Sequence, residues 1–226
     1  MRAADIPEYV QDGVVDCGIT GLDLVRERGA RVAELLSLGF GSCRLEAAVP
    51  DESPYATFED LAGATVATVY PRLARELLPA PVELVDVTGS VELAPRLGLA
   101  DAIVDLVSSG NTLRTNGLRS LGALLSSEAI LVASDAERAG SFAAMLRAVV
   151  DARRHRYLML NAPESALPRI CELVAPRSPS VLPLAESGLV AVHALVPADE
   201  LWRLLPELEA AGGSSILIVP VERMAA

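Results

Sequence analysis

The sequence predicts an α/β protein, with a parallel, doubly wound arrangement of strands and helices followed by a smaller ferredoxin-like βαββαβ domain. Short apolar runs alternate with helix-like segments in the first part of the chain, as in parallel α/β sheets. After residue 156 the order of elements changes to βαββαβ. The 226 residues leave room for one large or two to three small domains. Because 51% of the residues are hydrophobic and only 4% aromatic, we expect a core of Ala, Leu and Val.

The first part opens with a helix that has Asp5 as its predicted N-cap and Pro7 in its first turn. A turn and a short helix occupy 51–63 and end at Gly63, and Ser90 is expected to cap a helix over 91–98. Apolar runs predict strands at 14–19, 45–49, 65–68, 82–87 and 102–107, and extended chain at 121–133. Helices are predicted at 22–36, 71–78, 112–116 and 135–156.

The second part alternates strands and helices in a different order. Strands are predicted at 157–161, 180–184, 189–196 and 215–221, and helices at 163–174 and 197–211. Residues with catalytic chemistry do not stand out in this part, which favours a packing or oligomerisation module. His193 lies in the strand VAVHALV, where we expect a satisfied core or interface residue.

The most informative segment is the strand at 102–107 with the small polar loop that follows it. The loop consists of Ser108, Ser109, Gly110, Asn111 and Thr112. Backbone N–H groups and hydroxyls in such a loop can close around a phosphate. Carboxylates for a sugar diol or Mg²⁺ are expected beside the loop, from Glu92, Asp101 and Asp105. An ordinary buried strand with a polar turn is the alternative.

Composition excludes several classes of function. The net charge of −11 argues against nonspecific nucleic-acid binding, and it means that local cations or Mg²⁺ must attract any anionic substrate. Candidate cations are Arg72, Arg96, Arg114 and Arg119. The apolar runs are too short to span a bilayer, and the N-terminus lacks a secretory signal. The three cysteines lack metal or disulfide spacing, which favours a reducing cytoplasm.

The segment from Glu92 to Leu113 reads E-x5-G-x-A-x2-I-V-D-L-x2-S-G-x-T-L and resembles the signature of the ATP phosphoribosyltransferase family, long form. Four further segments are similar to the same family in the same order: DIPEYVQDGVVDCGITGLDLV (5–25), LGFGSCRLEAAVP (38–50), VATVYP (66–71) and YLMLNAP (157–163). Members of this family begin with a further strand, loop and helix, so the resemblance implies a chain that lacks this N-terminal segment.

The resemblance implies the first reaction of histidine biosynthesis, in which ATP and phosphoribosyl pyrophosphate condense with Mg²⁺ as cofactor. It gives Asp105 and Glu92 catalytic roles on the ribose hydroxyls or, less favoured, in orienting Mg²⁺. The loop from Ser108 to Thr112 would hold the 5′-phosphate. Residues implied at the nucleotide pocket are Asp16, at the expected end of a buried strand, with Ile19, Thr20, Gly21 and Tyr70. A simple ion pair with Arg96 is the alternative for Glu92.

The resemblance also implies the domain plan. A two-lobed core like type II periplasmic binding proteins would consist of lobe I (1–38 and 127–156, incomplete) and lobe II (39–126). A histidine-sensing domain (157–226) would follow, with Asn161, Ser180 and Ser215 as candidate residues for the inhibitor. A cytoplasmic homo-oligomer, a dimer or hexamer, is expected. A noncatalytic regulatory paralogue and a two-lobed small-ligand-binding protein are the alternatives.

Overall fold

The computed structural model of this chain describes residues 1–175 and 179–225. The chain divides into two compact units, Met1–Ala143 and Ala144–Ala226. Within the described ranges, none of the helices is long and apolar enough to cross a membrane.

The helices and strands alternate along both units. The strands are β1 (Cys17–Gly21), β2 (Ala33–Ser37), β3 (Cys43–Pro50), β4 (Thr65–Thr68), β5 (Glu83–Asp86), β6 (Ala102–Val107), β7 (Leu118–Ser127), β8 (Ala129–Ala133), β9 (His155–Pro163), β10 (Ser180–Pro183), β11 (Leu189–Pro197) and β12 (Ser214–Pro220). The helices are α1 (Ile6–Gln11), α2 (Leu22–Arg28), α3 (Pro71–Leu77), α4 (Asn111–Thr115), α5 (Gly140–Arg153), α6 (Leu167–Val174) and α7 (Leu201–Ala210).

The first unit contains two sheets. The smaller sheet has the order β1-β8-β2, and α1 and α2 contribute to its core with the buried residues Val10, Val25, Ile130 and Val132. The larger sheet has the order β5-β4-β6-β3-β7. We call the smaller sheet with its helices the first lobe and the larger sheet with its helices the second lobe. The chain passes between them twice, at 38–42 and at Glu128.

The expected parallel arrangement is found in part of the larger sheet only. Among the described residues, only β4, β5 and β6 pair in parallel, whereas β3 is antiparallel to both β6 and β7. All pairs in the smaller sheet are antiparallel as well. The physical reason is the double passage between the lobes. The long strands β3 and β7 carry the chain out to the second lobe and back, so they run in opposite directions.

The helix expected at 22–36 is too long. Helix α2 ends at Arg28, and the next residue, Gly29, has φ of 60°, in the left-handed region that glycine adopts without strain. The chain then enters β2, which the sequence did not reveal because its apolar residues continue the helical spacing. The helix expected at 135–156 likewise shortens to α5.

The second unit confirms the ferredoxin-like prediction. After α5, its strands and helices follow the order βαββαβ, and its antiparallel sheet has the order β10-β11-β9-β12. Alternate residues of β11 are buried, as expected for a sheet with helices on one face. Fully buried side chains of this core include Leu158 on β9, Ile170 on α6 and Leu208 on α7.

We expect Leu158→Ala to destabilise the second unit by about 2–5 kcal/mol, because it removes a side chain that is 1% exposed and leaves a cavity. Leu217→Ala on the neighbouring strand is the matched control, since Leu217 is 57% exposed. Equilibrium urea unfolding of both variants measures the difference. Equal losses of stability would contradict the assignment of this core.

Candidate functional site

The polar loop at 108–112 connects a buried strand to a short helix. Strand β6 ends at Val107, and α4 begins at Asn111, with the buried Leu113 anchoring its first turn. Gly110 has φ of 74° and ψ of 0° at the start of this helix. A residue with a Cβ is strained in that conformation, so glycine is required at this position of the loop. Ser108 and Ser109 are exposed.

The loop encloses a small pocket of about 50 Å³. The residues predicted for phosphate and ribose meet there: the pocket is lined by Glu92, Asp105, Ser108, Ser109, Gly110 and Thr112, among others. Asn111 does not line it, and its side-chain oxygen accepts a hydrogen bond from Arg114 instead. The structure therefore brings two carboxylates together with loop hydroxyls in one enclosed space.

The carboxyl group of Asp105 occupies an unusual electrostatic environment. Burial raises the pKa of Asp105, and the nearby carboxylate of Glu92 raises the pKa further. The N–H of Leu106 donates a hydrogen bond of 2.8 Å to Asp105 Oδ1, which opposes this rise in pKa. Glu92 makes no ion pair with Arg96, so the alternative role for Glu92 is not observed in this part of the chain.

Two aspartates lie away from the positions expected for them. Asp101 precedes β6, at the opposite end of the strand from the loop, and its Oδ2 accepts a hydrogen bond from Thr65 N at 2.9 Å. Asp16 precedes β1 instead of ending a strand, because Val14 and Val15 belong to the turn after α1. The Asp16 side chain is 72% exposed and lies 3.6 Å from Arg138.

The other residues predicted for the nucleotide pocket follow at the end of β1. Ile19 is 40% exposed, and the hydroxyl of the buried Thr20 donates a hydrogen bond to the carbonyl of Ala3 at 2.9 Å. Gly21 precedes α2, and a Cβ there would lie 2.3 Å from Oδ1 of Asp23. Glycine is therefore required at Gly21 by the close approach of a carboxylate.

Tyr70 belongs to a buried polar network that the sequence did not reveal. Its hydroxyl donates a hydrogen bond of 3.0 Å to Asp23 Oδ2. Ser127 Oγ donates one of 2.6 Å to Asp23 Oδ1 and accepts one of 3.0 Å from the N–H of Asp23. Burial raises the pKa of Tyr70, and the carboxylate of Asp23 raises the pKa further. We call Asp23, Tyr70 and Ser127 the interlobe network, because it joins α2 of the first lobe to the loop after β4 in the second.

A second contact between the lobes lies beside this network. The carboxylate of Glu27 on α2 accepts hydrogen bonds from the backbone N–H groups of Arg72 and Leu73, at 3.0 and 2.9 Å. These N–H groups belong to the first turn of α3 and have no partner within the helix. Glu27 therefore caps a helix of the other lobe.

A larger pocket of about 420 Å³ lies between the lobes, beside the loop pocket. We call it the interlobe pocket, and its lining includes Leu22, Ser42, Cys43, Arg44, Val107, Ser108, Ser126, Ser127 and Glu128. Val107 and Ser108 line both pockets, so the two are adjacent. Burial raises the pKa of the Cys43 thiol, and Asp23 adds to that rise.

The arginines proposed from the sequence are mostly engaged elsewhere. Arg72 pairs with Glu76, and Arg119 donates to the carbonyls of Ser53 and Tyr55. Arg44 was missed, although it is the arginine that lines the interlobe pocket. Within the described ranges, there is no cluster of three or more His, Cys, Asp or Glu side chains suited to a metal ion.

The second unit brings together two of its three predicted inhibitor residues. Asn161 on β9 pairs in register with Ser214 on β12, and Ser215 follows at a bulge with φ of 50°. Ser180 opens the edge strand β10, which lies on the other side of β11. Since neighbouring strands are about 4.8 Å apart, Ser180 is separated from β12 by three strand spacings.

Together these features define a class: a two-lobed α/β protein with a phosphate-type loop and paired carboxylates beside an interlobe pocket. The family model for ATP phosphoribosyltransferase (HisG) matches residues 2–152, and the model for the HisG C-terminal domain matches residues 152–223. The ATP phosphoribosyltransferase of Methanosarcina mazei is 41% identical over 99% of this chain and 82% of its own length. The chain belongs to the ATP phosphoribosyltransferase family, as its resemblance predicted.

Two solved structures agree with this assignment of the fold. One is the ATP phosphoribosyl transferase (HisG:HisZ) complex of Thermotoga maritima, with a TM-score of 0.59, 27% identity and coverage of 67% of this chain and 78% of that chain. The other is a substrate-binding protein of an amino acid ABC transporter, with a TM-score of 0.50, 19% identity and coverage of 67% and 70%. The second similarity shows the fold alone, and it confirms the predicted periplasmic-binding-protein-like core.

We expect Tyr70→Phe to lower the free energy of unfolding of the first unit by about 1–3 kcal/mol, because it removes a hydrogen-bond donor from the buried Asp23 carboxylate. Tyr9→Phe is the matched control, since Tyr9 is 38% exposed. Urea unfolding measures both variants, and an unchanged Tyr70→Phe protein would show that the interlobe network contributes nothing to stability.

Proposed function

We propose that this chain transfers the phosphoribosyl group of phosphoribosyl pyrophosphate to ATP, the first step of histidine biosynthesis. One observation carries the proposal: Glu92, Asp105 and the loop residues Ser108, Ser109, Gly110 and Thr112 line a single pocket that adjoins the larger interlobe pocket. The small pocket suits one phosphate, and the larger pocket suits a nucleotide. Membership of the family supports the same chemistry.

The reaction needs no protein nucleophile. N1 of the adenine attacks C1 of the ribose, the bond from C1 to the pyrophosphate oxygen breaks, and pyrophosphate leaves with inversion. We assign the loop hydroxyls and N–H groups to the 5′-phosphate, and Asp105 and Glu92 to the ribose hydroxyls. Positive charge develops on the ribose in such a displacement, and two carboxylates nearby stabilise it electrostatically. Positioning of the two substrates supplies the rest.

Mg²⁺ fits the residues present. Proteins commonly bind Mg²⁺ through one or two carboxylates together with substrate phosphates, and Glu92 and Asp105 offer two carboxylates facing one pocket. The raised pKa of Asp105 is consistent with a site that a cation or a sugar hydroxyl completes. When bound, Mg²⁺ would neutralise charge on the leaving pyrophosphate.

The domain plan extends the proposal to regulation. We propose that 1–38 with 127–156 and 39–126 form the two catalytic lobes, and that 157–226 binds histidine as a feedback inhibitor through Asn161 and Ser215. Such inhibition requires two states of the protein that bind histidine differently. A cytoplasmic homo-oligomer, a dimer or hexamer, belongs to the same proposal.

Turnover of ATP and phosphoribosyl pyrophosphate with Mg²⁺ tests the proposal. The rate of pyrophosphate release is measured with and without histidine. Turnover that histidine suppresses supports enzyme and regulator together. Histidine binding without any turnover would favour a noncatalytic regulatory paralogue. Tight binding of another small ligand without chemistry would favour a two-lobed binding protein.

We expect Asp105→Asn to lower kcat by about 100- to 1,000-fold, because it removes a charge that stabilises the transition state. Asp101→Asn at the far end of the same strand is the matched control, since its side chain can still accept the hydrogen bond from Thr65. Comparable losses in the two variants would contradict the role of Asp105.

The raised pKa of Asp105 predicts the direction of a pH effect. Activity that needs the Asp105 carboxylate falls as the pH decreases through this raised pKa. The acid limb of the pH profile of kcat/KM therefore has its midpoint above the ordinary aspartate pKa of about 3.9. Glu92→Gln removes a neighbouring negative charge and lowers the pKa of Asp105, which moves the limb to lower pH. A pH profile of kcat/KM measures the shift, and a limb that moves upward would overturn the assignment.

We expect Asn161→Ala to raise the histidine concentration for half-inhibition by about tenfold or more, because a hydrogen bond to a charged ligand contributes about 1.5–3 kcal/mol. Ser187→Ala, on an exposed turn of the same unit, is the control. Inhibition curves at fixed substrate give the comparison, and an unaltered curve would place the inhibitor away from β9.

A further inference from the structure

Arg44 and Glu46 form an ion pair at the edge of the interlobe pocket. Arg44 Nε donates a hydrogen bond of 2.6 Å to Oε1 of Glu46. Glu46 is buried, at 5% exposed. The Arg44 side chain is 53% exposed and lines the pocket. Among the described residues, the two terminal nitrogens of Arg44 have no hydrogen-bond or ion-pair partner.

The strand register places this pair directly against the candidate site. In the antiparallel pairing of β3 with β6, Arg44 lies opposite Val107 and Glu46 opposite Asp105. Val107 is the last residue before the loop, so the backbone of Arg44 lies opposite the residue that precedes Ser108. Residues opposite each other in a sheet project from the same face. Arg44, Glu46 and Asp105 therefore share one face of the second lobe.

The carboxylates on this face explain why Glu46 is paired with an arginine. Like charges opposite each other in adjacent strands repel, and Glu46 and Asp105 are such a pair. A buried carboxylate also requires a partner. Arg44 supplies that partner through Nε alone, and its planar terminal nitrogens stay available as a two-pronged donor. Such a fork matches the oxygens of a phosphate group.

We infer that Arg44, positioned by Glu46, is an anion-binding residue that takes the diphosphate or triphosphate group of a substrate in the interlobe pocket. The identity of the substrates rests on the proposed function. The loop pocket of about 50 Å³ has room for a single phosphate, whereas the adjoining interlobe pocket of about 420 Å³ accommodates a longer polyphosphate. Arg44 thus supplies a positive charge to a face that otherwise carries carboxylates.

Calorimetric titration of the full chain with inorganic pyrophosphate tests the inference. Arg44→Gln weakens binding about 10- to 100-fold, as expected for the loss of a charge-assisted hydrogen bond. Arg44→Lys keeps the charge without the fork and restores part of the affinity. Arg26→Gln is the matched control, because Arg26 is also 53% exposed and paired with a glutamate, Glu34, outside the pocket.

A purely structural pair would behave differently. In that case Arg44→Gln would lower the unfolding temperature by leaving Glu46 unpaired, while pyrophosphate affinity stayed the same. That result, or a lack of pyrophosphate binding by the unmodified chain, overturns the inference. Glu46→Gln tests the positioning role: it weakens pyrophosphate binding less than Arg44→Gln does, and unchanged affinity would remove Glu46 from the inference.

Steady-state kinetics separates this inference from the proposed function and identifies the source of the anion. A rise in KM for phosphoribosyl pyrophosphate in Arg44→Gln assigns Arg44 to the diphosphate, and a rise in KM for ATP assigns it to the triphosphate. If the unmodified chain binds pyrophosphate through Arg44 but does not turn over, the anion site stands and the proposed function fails. If Arg44→Gln leaves both KM values and pyrophosphate affinity unchanged, the inference fails alone.

Discussion

The buried carboxylate of Asp23 is the contact on which the arrangement of the two lobes depends. It accepts hydrogen bonds from Tyr70 and Ser127, whose chain positions are 47 and 104 residues away. A carboxylate that is 4% exposed is costly to bury unless its oxygens are satisfied. The buried carboxylate therefore holds the helix α2, the loop after β4 and the end of β7 together. Gly21 belongs to this constraint, because a side chain there would occupy the space of the carboxylate.

The same constraint shapes the cleft. Ser127 belongs both to the interlobe network and to the lining of the interlobe pocket. The next residue, Glu128, accepts hydrogen bonds from Ser37 and from the N–H of Gly39, so its carboxylate links the two passages of the chain between the lobes. A change in the angle between the lobes would have to break or rearrange these contacts. These contacts lie where the chain passes between the lobes, beside the interlobe pocket.

Sequence reasoning succeeded where the information is local. The loop at 108–112, the carboxylates Glu92 and Asp105 and the ferredoxin-like order of elements all follow from spacing within short segments. It failed where the decisive partner is distant: nothing near Asp23 indicates Tyr70 or Ser127. It also failed at boundaries, since the apolar residues of 33–36 continued a helical pattern and concealed β2. Arg44 was overlooked because a single arginine in an apolar strand indicates no function until the register places it beside the loop.

Charge connects these observations with the chemistry proposed here. A chain with a net charge of −11 that acts on polyphosphates has to separate its charges within the site. Carboxylates gather where positive charge would develop on the ribose, with Asp105 and Glu92 at one pocket. The arginine lies at the next cross-strand pair on the same face, at the pocket proposed for a polyphosphate group. The pairing of β3 with β6 produces this separation, because Glu46 lies opposite Asp105 and the next pair on the same face places Arg44 opposite Val107, beside the loop. The antiparallel strands that departed from the expected parallel sheet are therefore the ones that arrange the electrostatics of the site.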